Sequence, residues 1–123
     1  MRRRGADGAG KRLDEQVAQL LARQLAALVD VIVDKGTDPA TEGYSGFDGT
    51  DLATLLRERG IERVTVAGLA TDYCVRATAL DALRAGFAVT VDDGASRGID
   101  SDASVAALDE VRAAGGAIGS AET

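Results

Sequence analysis

The chain has 123 residues and a net charge of −6, and 46% of its residues are apolar. That length fits one small domain, and the apolar content argues against a disordered chain. The acidity argues against a general nucleic-acid binder. Aromatic residues make up only 3%, so any core has to rest on Ala, Val and Leu. Histidine is absent, which removes the commonest zinc ligand and the commonest general base together.

The charge is uneven. Residues 1–12, MRRRGADGAGKR, hold five Lys or Arg and one acid, which leaves about −10 on the rest. Such an arm can touch an acidic surface or simply be a solvated flexible tail. No apolar run approaches the roughly 20 residues that cross a bilayer, and the basic start lacks a secretory core. The one cysteine, Cys74, cannot form an intramolecular disulfide, which fits a reducing, cytoplasmic setting.

Residues 13–29, LDEQVAQLLARQLAALV, predict a helix. Leu13, Val17, Leu20, Leu21, Leu25 and Leu28 fall on one face at helical spacing. DVIVDKG (30–36) is short and β-branched, and predicts a buried strand over 31–34. Residues 36–50, GTDPATEGYSGFDGT, predict a long loop, a place where function often sits. Thr50 is the candidate cap for a helix over 51–60 that stops at Gly60. RVTVAG (63–68) predicts a strand, residues 71–86 a helix ending at Gly86, and 87–94 another strand. Residues 101–114 predict a last helix, and GAIGS (116–120) a weak final strand.

Strands alternating with helices predict an α/β fold, a parallel sheet flanked by helices. Ligands of such sheets sit at the carboxyl ends of the strands. Parallel strands would bring KG (35–36), GLATDYC (68–74) and DGASRG (93–98) to one edge, making Lys35 and Cys74 neighbours. A helix N-terminus and a nearby cation both favour a thiolate, the nucleophilic form of cysteine. Cys74 falls in the predicted first turn of its helix, with Thr71 or Asp72 as candidate cap. First-turn N–H groups lack intrahelical partners and can serve an oxyanion. From spacing alone, the reading that comes first is Cys74 as core packing, Lys35 as a solvated strand end, and Tyr44, Phe47 and Tyr73 as packing aromatics. Without histidine, Cys–His activation is excluded.

Two stretches, DKGTDPATEGYSGFDG and VTVAGLATDYCVRATALDALRAGFAVTVDDGASRGID, resemble nicotinamidases of the isochorismatase-like cysteine hydrolase superfamily. The resemblance covers about residues 29–120. It implies the family's three-layer sandwich, truncated at the N-terminus, with residues 29–123 forming a partial hydrolase domain. It also implies conversion of nicotinamide, or a related small amide, to nicotinate and ammonia in NAD salvage. Cys74 matches the nucleophile that forms a thioester. Lys35 matches the catalytic lysine. Leu69 and Ala70 match a pair joined by a cis peptide, which would aim the N–H groups of Ala70 and Cys74 at the oxyanion. Tyr44 and Tyr73 match positions at the substrate pocket.

Some family features have no counterpart here. The third catalytic residue is an aspartate in a DxQxDF-like segment, and Asp7, Asp14 and Asp30 lie in the wrong context for it. The family's divalent metal is held by a DxHxxxH-like segment, so the chain has no metal ligands and no identifiable cofactor. Residues 13–28 match no part of the family wording. Two functional readings therefore stand: a nicotinamidase-type hydrolase, and a catalytically impaired fragment or pseudoenzyme. In the second, a bare sheet edge would invite self-association. A third reading makes the basic arm and first helix a binding module, but Asp14, Glu15 and Arg23 give that helix no basic membrane face.

Overall fold

The computed structural model describes Gln16, Gln19, Leu20, Arg23, Gln24 and residues 28–119. The chain divides into two compact units, Met1–Ile32 and Val33–Thr123.

In the first unit, the five described positions between Gln16 and Gln24 are helical and exposed. The basic segment 1–12 and the apolar-face residues Leu13, Val17, Leu21 and Leu25 lie outside the described residues. Of the described members of that face, Leu20 and Leu28 are exposed. The buried strand expected over 31–34 does not form. These residues are irregular, join neither ladder of the sheet, and leave Val31 and Ile32 exposed. β-Branched side chains favour a strand only where a neighbouring strand supplies hydrogen bonds and cover, and among the described residues this segment has none.

The second unit runs α1 (Leu52–Glu58), β1 (Arg63–Leu69), a π-helical turn (Thr71–Val75), α2 (Arg76–Arg84), β2 (Ala88–Arg97), α3 (Ser101–Ala113) and β3 (Ala117–Ile118). The sheet has the order β1-β2-β3, and both ladders are parallel. This is the parallel sheet with helices that the alternation predicts.

The core follows from strand alternation. Val64 and Val66 of β1 and Val89 and Val91 of β2 pack with Val75, Ala79, Leu80 and Ala82 of the following helical segment and with Val111 of α3. On β1 the intervening Arg63, Thr65 and Ala67 are exposed. Val91 and Val111 are fully buried. The scarcity of aromatics makes Phe87 important: it is buried, its ring lies 6.0 Å from that of Phe47, and Arg57 of α1 sits 5.5 Å above it. Arg57 also donates to the Ala85 carbonyl at 2.7 Å, tying α1 to the end of α2.

Two boundaries differ from the sequence expectation. β2 runs on to Arg97 because it bulges and then rejoins the ladder: Val66 faces Val91, but Gly68 faces Ser96. Buried Ser96 closes the bulge, donating to the Asp92 carbonyl at 2.8 Å and accepting the Gly68 N–H at 3.3 Å. At α1 the N-cap position is Asp51, whose side chain makes no capping bond. Thr50 Oγ1 accepts the Leu52 N–H at 3.3 Å instead, so the threonine does its expected work from one residue upstream.

Candidate active site

Lys35 and Cys74 meet. Lys35 Nζ lies 3.4 Å from Cys74 Sγ and donates to the Gly43 carbonyl at 2.9 Å. The two residues are 39 positions apart, and the chain brings them together without a strand at 31–34. A tightly crossed loop does so instead. Gly36 and Gly43 both have φ of +77°, and a β-carbon on Gly43 would lie 2.6 Å from the Gly36 Cα. Only glycine permits that backbone approach.

The rest of the loop is held by its own polar groups. Asp38 Oδ1 accepts the Ala40 N–H at 2.9 Å, and the Thr41 N–H reaches the Asp38 carbonyl at 3.1 Å. Buried Ser45 accepts the Phe47 N–H at 3.0 Å. The Gly46 N–H donates to Thr78 Oγ1 at 2.9 Å. Thr78 lies on α2, which continues directly from the turn bearing Cys74, so one helix anchors both sides of the contact.

Half-buried Cys74 sits in the turn Thr71–Val75. The expected α-helical first turn is a π turn: the Tyr73 and Val75 N–H groups both reach the Ala70 carbonyl, at 3.1 and 3.0 Å. The peptide bond between Leu69 and Ala70 is cis. Leu69 is exposed and Ala70 is half-buried. Neither Thr71 nor Asp72 caps this helix. Ala70 occupies the N-cap without a side-chain bond, and Asp72 is committed elsewhere. Its Oδ1 accepts the Ile99 N–H and its Oδ2 the Asp100 N–H, each at 3.1 Å. Burial raises the Asp72 pKa, but the N–H groups of Ile99, Asp100 and Asp72 itself outweigh it and hold the carboxyl below its ordinary value.

Tyr44 and Tyr73 form a tilted pair with ring centroids 5.6 Å apart. They line a cleft of about 400 Å³ together with Glu42, Arg76 and Glu110, and its lining does not include Cys74 or Lys35. Across that cleft Arg76 makes a two-pronged pair with Glu110, Nε to Oε1 and Nη2 to Oε2, both at 2.8 Å. The hydrogen bond from Arg76, helped by its charge, holds the Glu110 carboxyl below its ordinary value.

Among the described residues no three His, Cys, Asp or Glu side chains come together as a metal-binding group. The described residues do not fit a metal site. Among the same residues no helix is long and apolar enough to cross a membrane.

Reading the sequence missed three contributors. Gly43 supplies the carbonyl that holds Lys35, Thr78 anchors the loop, and Ser96 closes the bulge. The paired glycines of KGTDPATEG were a legible signal for a backbone crossing. The other two become visible only once α2 and the β2 bulge are placed.

The isochorismatase domain model matches residues 5–123. The chain belongs to the isochorismatase domain family. The match takes in residues upstream of 29, where the resemblance in wording begins. Among curated relatives, the nicotinamidase/pyrazinamidase of Mycobacterium tuberculosis is 48% identical over 79 residues, covering 60% of this chain and 42% of that protein. Among solved structures, the pyrazinamidase of Pyrococcus horikoshii in complex with zinc superposes with a TM-score of 0.65 at 50% identity, covering 68% of this chain and 47% of the other. A protein of L. infantum in complex with nicotinate superposes with a TM-score of 0.70 at 32% identity, covering 76% of this chain and 50% of the other. The chain thus spans about two fifths to half the length of these family members.

Proposed function

We propose that the chain carries the thiol half of a nicotinamidase-type amidohydrolase, acting on nicotinamide or a related small amide in NAD salvage in the cytoplasm. The observation that carries this reading is the 3.4 Å approach of Lys35 Nζ to Cys74 Sγ. An ammonium aimed at the sulfur stabilises negative charge there. The family relatives named above as nicotinamidase and pyrazinamidase support the substrate class.

The chemistry is acyl transfer. The Cys74 thiolate attacks the amide carbonyl carbon, and the carbonyl electron pair moves to oxygen. The N–H groups of Ala70 and Cys74 would receive the oxyanion. Collapse breaks the C–N bond, and the departing nitrogen takes a proton and leaves as ammonia. Water then attacks the thioester, releasing nicotinate and returning the thiol. Lys35 is the cation in reach of the sulfur, suited to stabilise the thiolate and to protonate the leaving nitrogen. Tyr44 and Tyr73, which match pocket positions of the family, are the candidate substrate-contacting aromatics.

A second reading has its own support. Among the described residues no carboxylate is hydrogen-bonded to Cys74. Positioned acid–base help is worth about 10²–10⁴ in rate, so a chain without it turns over slowly. The experiment is ammonia release from nicotinamide by the purified chain, with Cys74→Ala as control. Release that depends on Cys74 supports the hydrolase. Release equal to that of Cys74→Ala, from a folded protein that still reacts with iodoacetamide at its thiol, favours the impaired fragment.

A further inference from the structure

Asp72 stands two residues before the nucleophile, yet its carboxylate serves another part of the chain. It is 9% exposed and spans the N–H groups of Ile99 and Asp100. Those residues open α3. Asp100 is the N-cap of that helix, its Oδ2 accepting the Ala103 N–H at 2.7 Å, and its carbonyl accepts from Ser104 Oγ at 2.7 Å. The fit is close. A β-carbon on Gly98 would collide with Ser104 Oγ and lie 3.1 Å from Asp72 Oδ1. The other side of the site is fixed separately, through Gly43, Gly46 and Thr78. The Lys35–Cys74 distance is therefore set by two anchors, and Asp72 is the α3 anchor.

We infer that Asp72 is a positioning residue: its two-pronged grip on the start of α3 holds the Cys74 turn in register with Lys35. This rests on the cysteine-hydrolase reading of the site.

The two roles open to Asp72 have opposite signs. As a bare negative charge beside Cys74, it disfavours the thiolate, so removing it would make the thiol more reactive at neutral pH. As a positioning residue it favours the thiolate through Lys35, so removing it makes the thiol less reactive.

Cys74 is the only cysteine, so iodoacetamide alkylation reads this site without requiring any turnover. The test measures alkylation rate against pH for the wild type, Asp72→Asn and Asp72→Glu, each also in a Lys35→Ala background. The Glu variant keeps the charge and displaces the carboxylate. Positioning predicts that both variants move the profile to higher pH and lower the rate at pH 7 about fivefold. It also predicts that neither has an added effect once Lys35 is gone. A profile moved to lower pH in Asp72→Asn, or one unchanged in either folded variant, overturns the inference. So does the same change with and without Lys35. Failure of both variants to fold also overturns it, since Asp72 is then a residue of stability alone. An unchanged profile in variants that release ammonia overturns the positioning role and leaves the hydrolase reading intact. A moved profile in a chain that releases none does the reverse.

Discussion

Arg76 and Glu110 join α2 to α3 through two parallel bonds of 2.8 Å. The pair is partly exposed, with side-chain exposures of 39% and 47%, so solvent and salt weaken it. Its interest lies in its pH dependence. Glu110 and Asp72 are both held below their ordinary values. A depressed carboxylate contributes stability that is fully present above the unfolded-state value, near pH 4, and lost as pH falls through the lower folded value. The unfolding midpoint of the wild type should therefore fall on acidification below about pH 4. Glu110→Gln should be less stable at pH 7 and lose less on acidification. Thermal unfolding by circular dichroism across that range reads both, and parallel curves would refute the assignment.

Gly43→Ala places a side chain where φ is +77° and the Gly36 backbone is 2.6 Å away. The expected cost is about 1–3 kcal/mol, read from the urea midpoint. The same variant should slow Cys74 alkylation, because the carbonyl that holds Lys35 moves with it.

Lys35→Gln leaves a polar side chain, one atom shorter, and removes its charge. Alkylation of Cys74 at pH 7 should slow, and any Cys74-dependent ammonia release should drop about 10²-fold. The wild-type advantage in alkylation should shrink in high salt, since Lys35 is exposed and its attraction is screened.

Val91→Ala tests the core. Val91 is fully buried in the middle strand of the sheet. The expected loss is about 2 kcal/mol, a large share of what a small domain has. Thr65→Ala, at an exposed position of β1, should cost far less. Urea unfolding of the two variants gives the comparison.

Much of this arrangement was legible in the residues. The run RVTVAG and the stretch 71–86 with its stop at Gly86 pointed to β1 and α2, and the strand–helix alternation implied the parallel pairing that was found. Lys35 and Cys74 were readable as neighbours because both follow runs of β-branched residues. The strand at 31–34 was not readable as absent. Its composition is right for a strand, but among the described residues it has no pairing neighbour, and it is irregular. The π turn and the destination of Asp72 were also hidden. A short acidic side chain in a first turn looks like a cap, and the N–H groups it prefers come from a loop 27 residues away.

The Tyr44–Tyr73 pair makes the protein its own reporter. The chain has two tyrosines and no tryptophan, so all of its tyrosine emission originates from that single pair. A small aromatic amide arriving beside Cys74 should alter this emission directly, with no label and no background from the remainder of the molecule. Titrating the Cys74→Ala protein with nicotinamide would then measure occupancy apart from turnover.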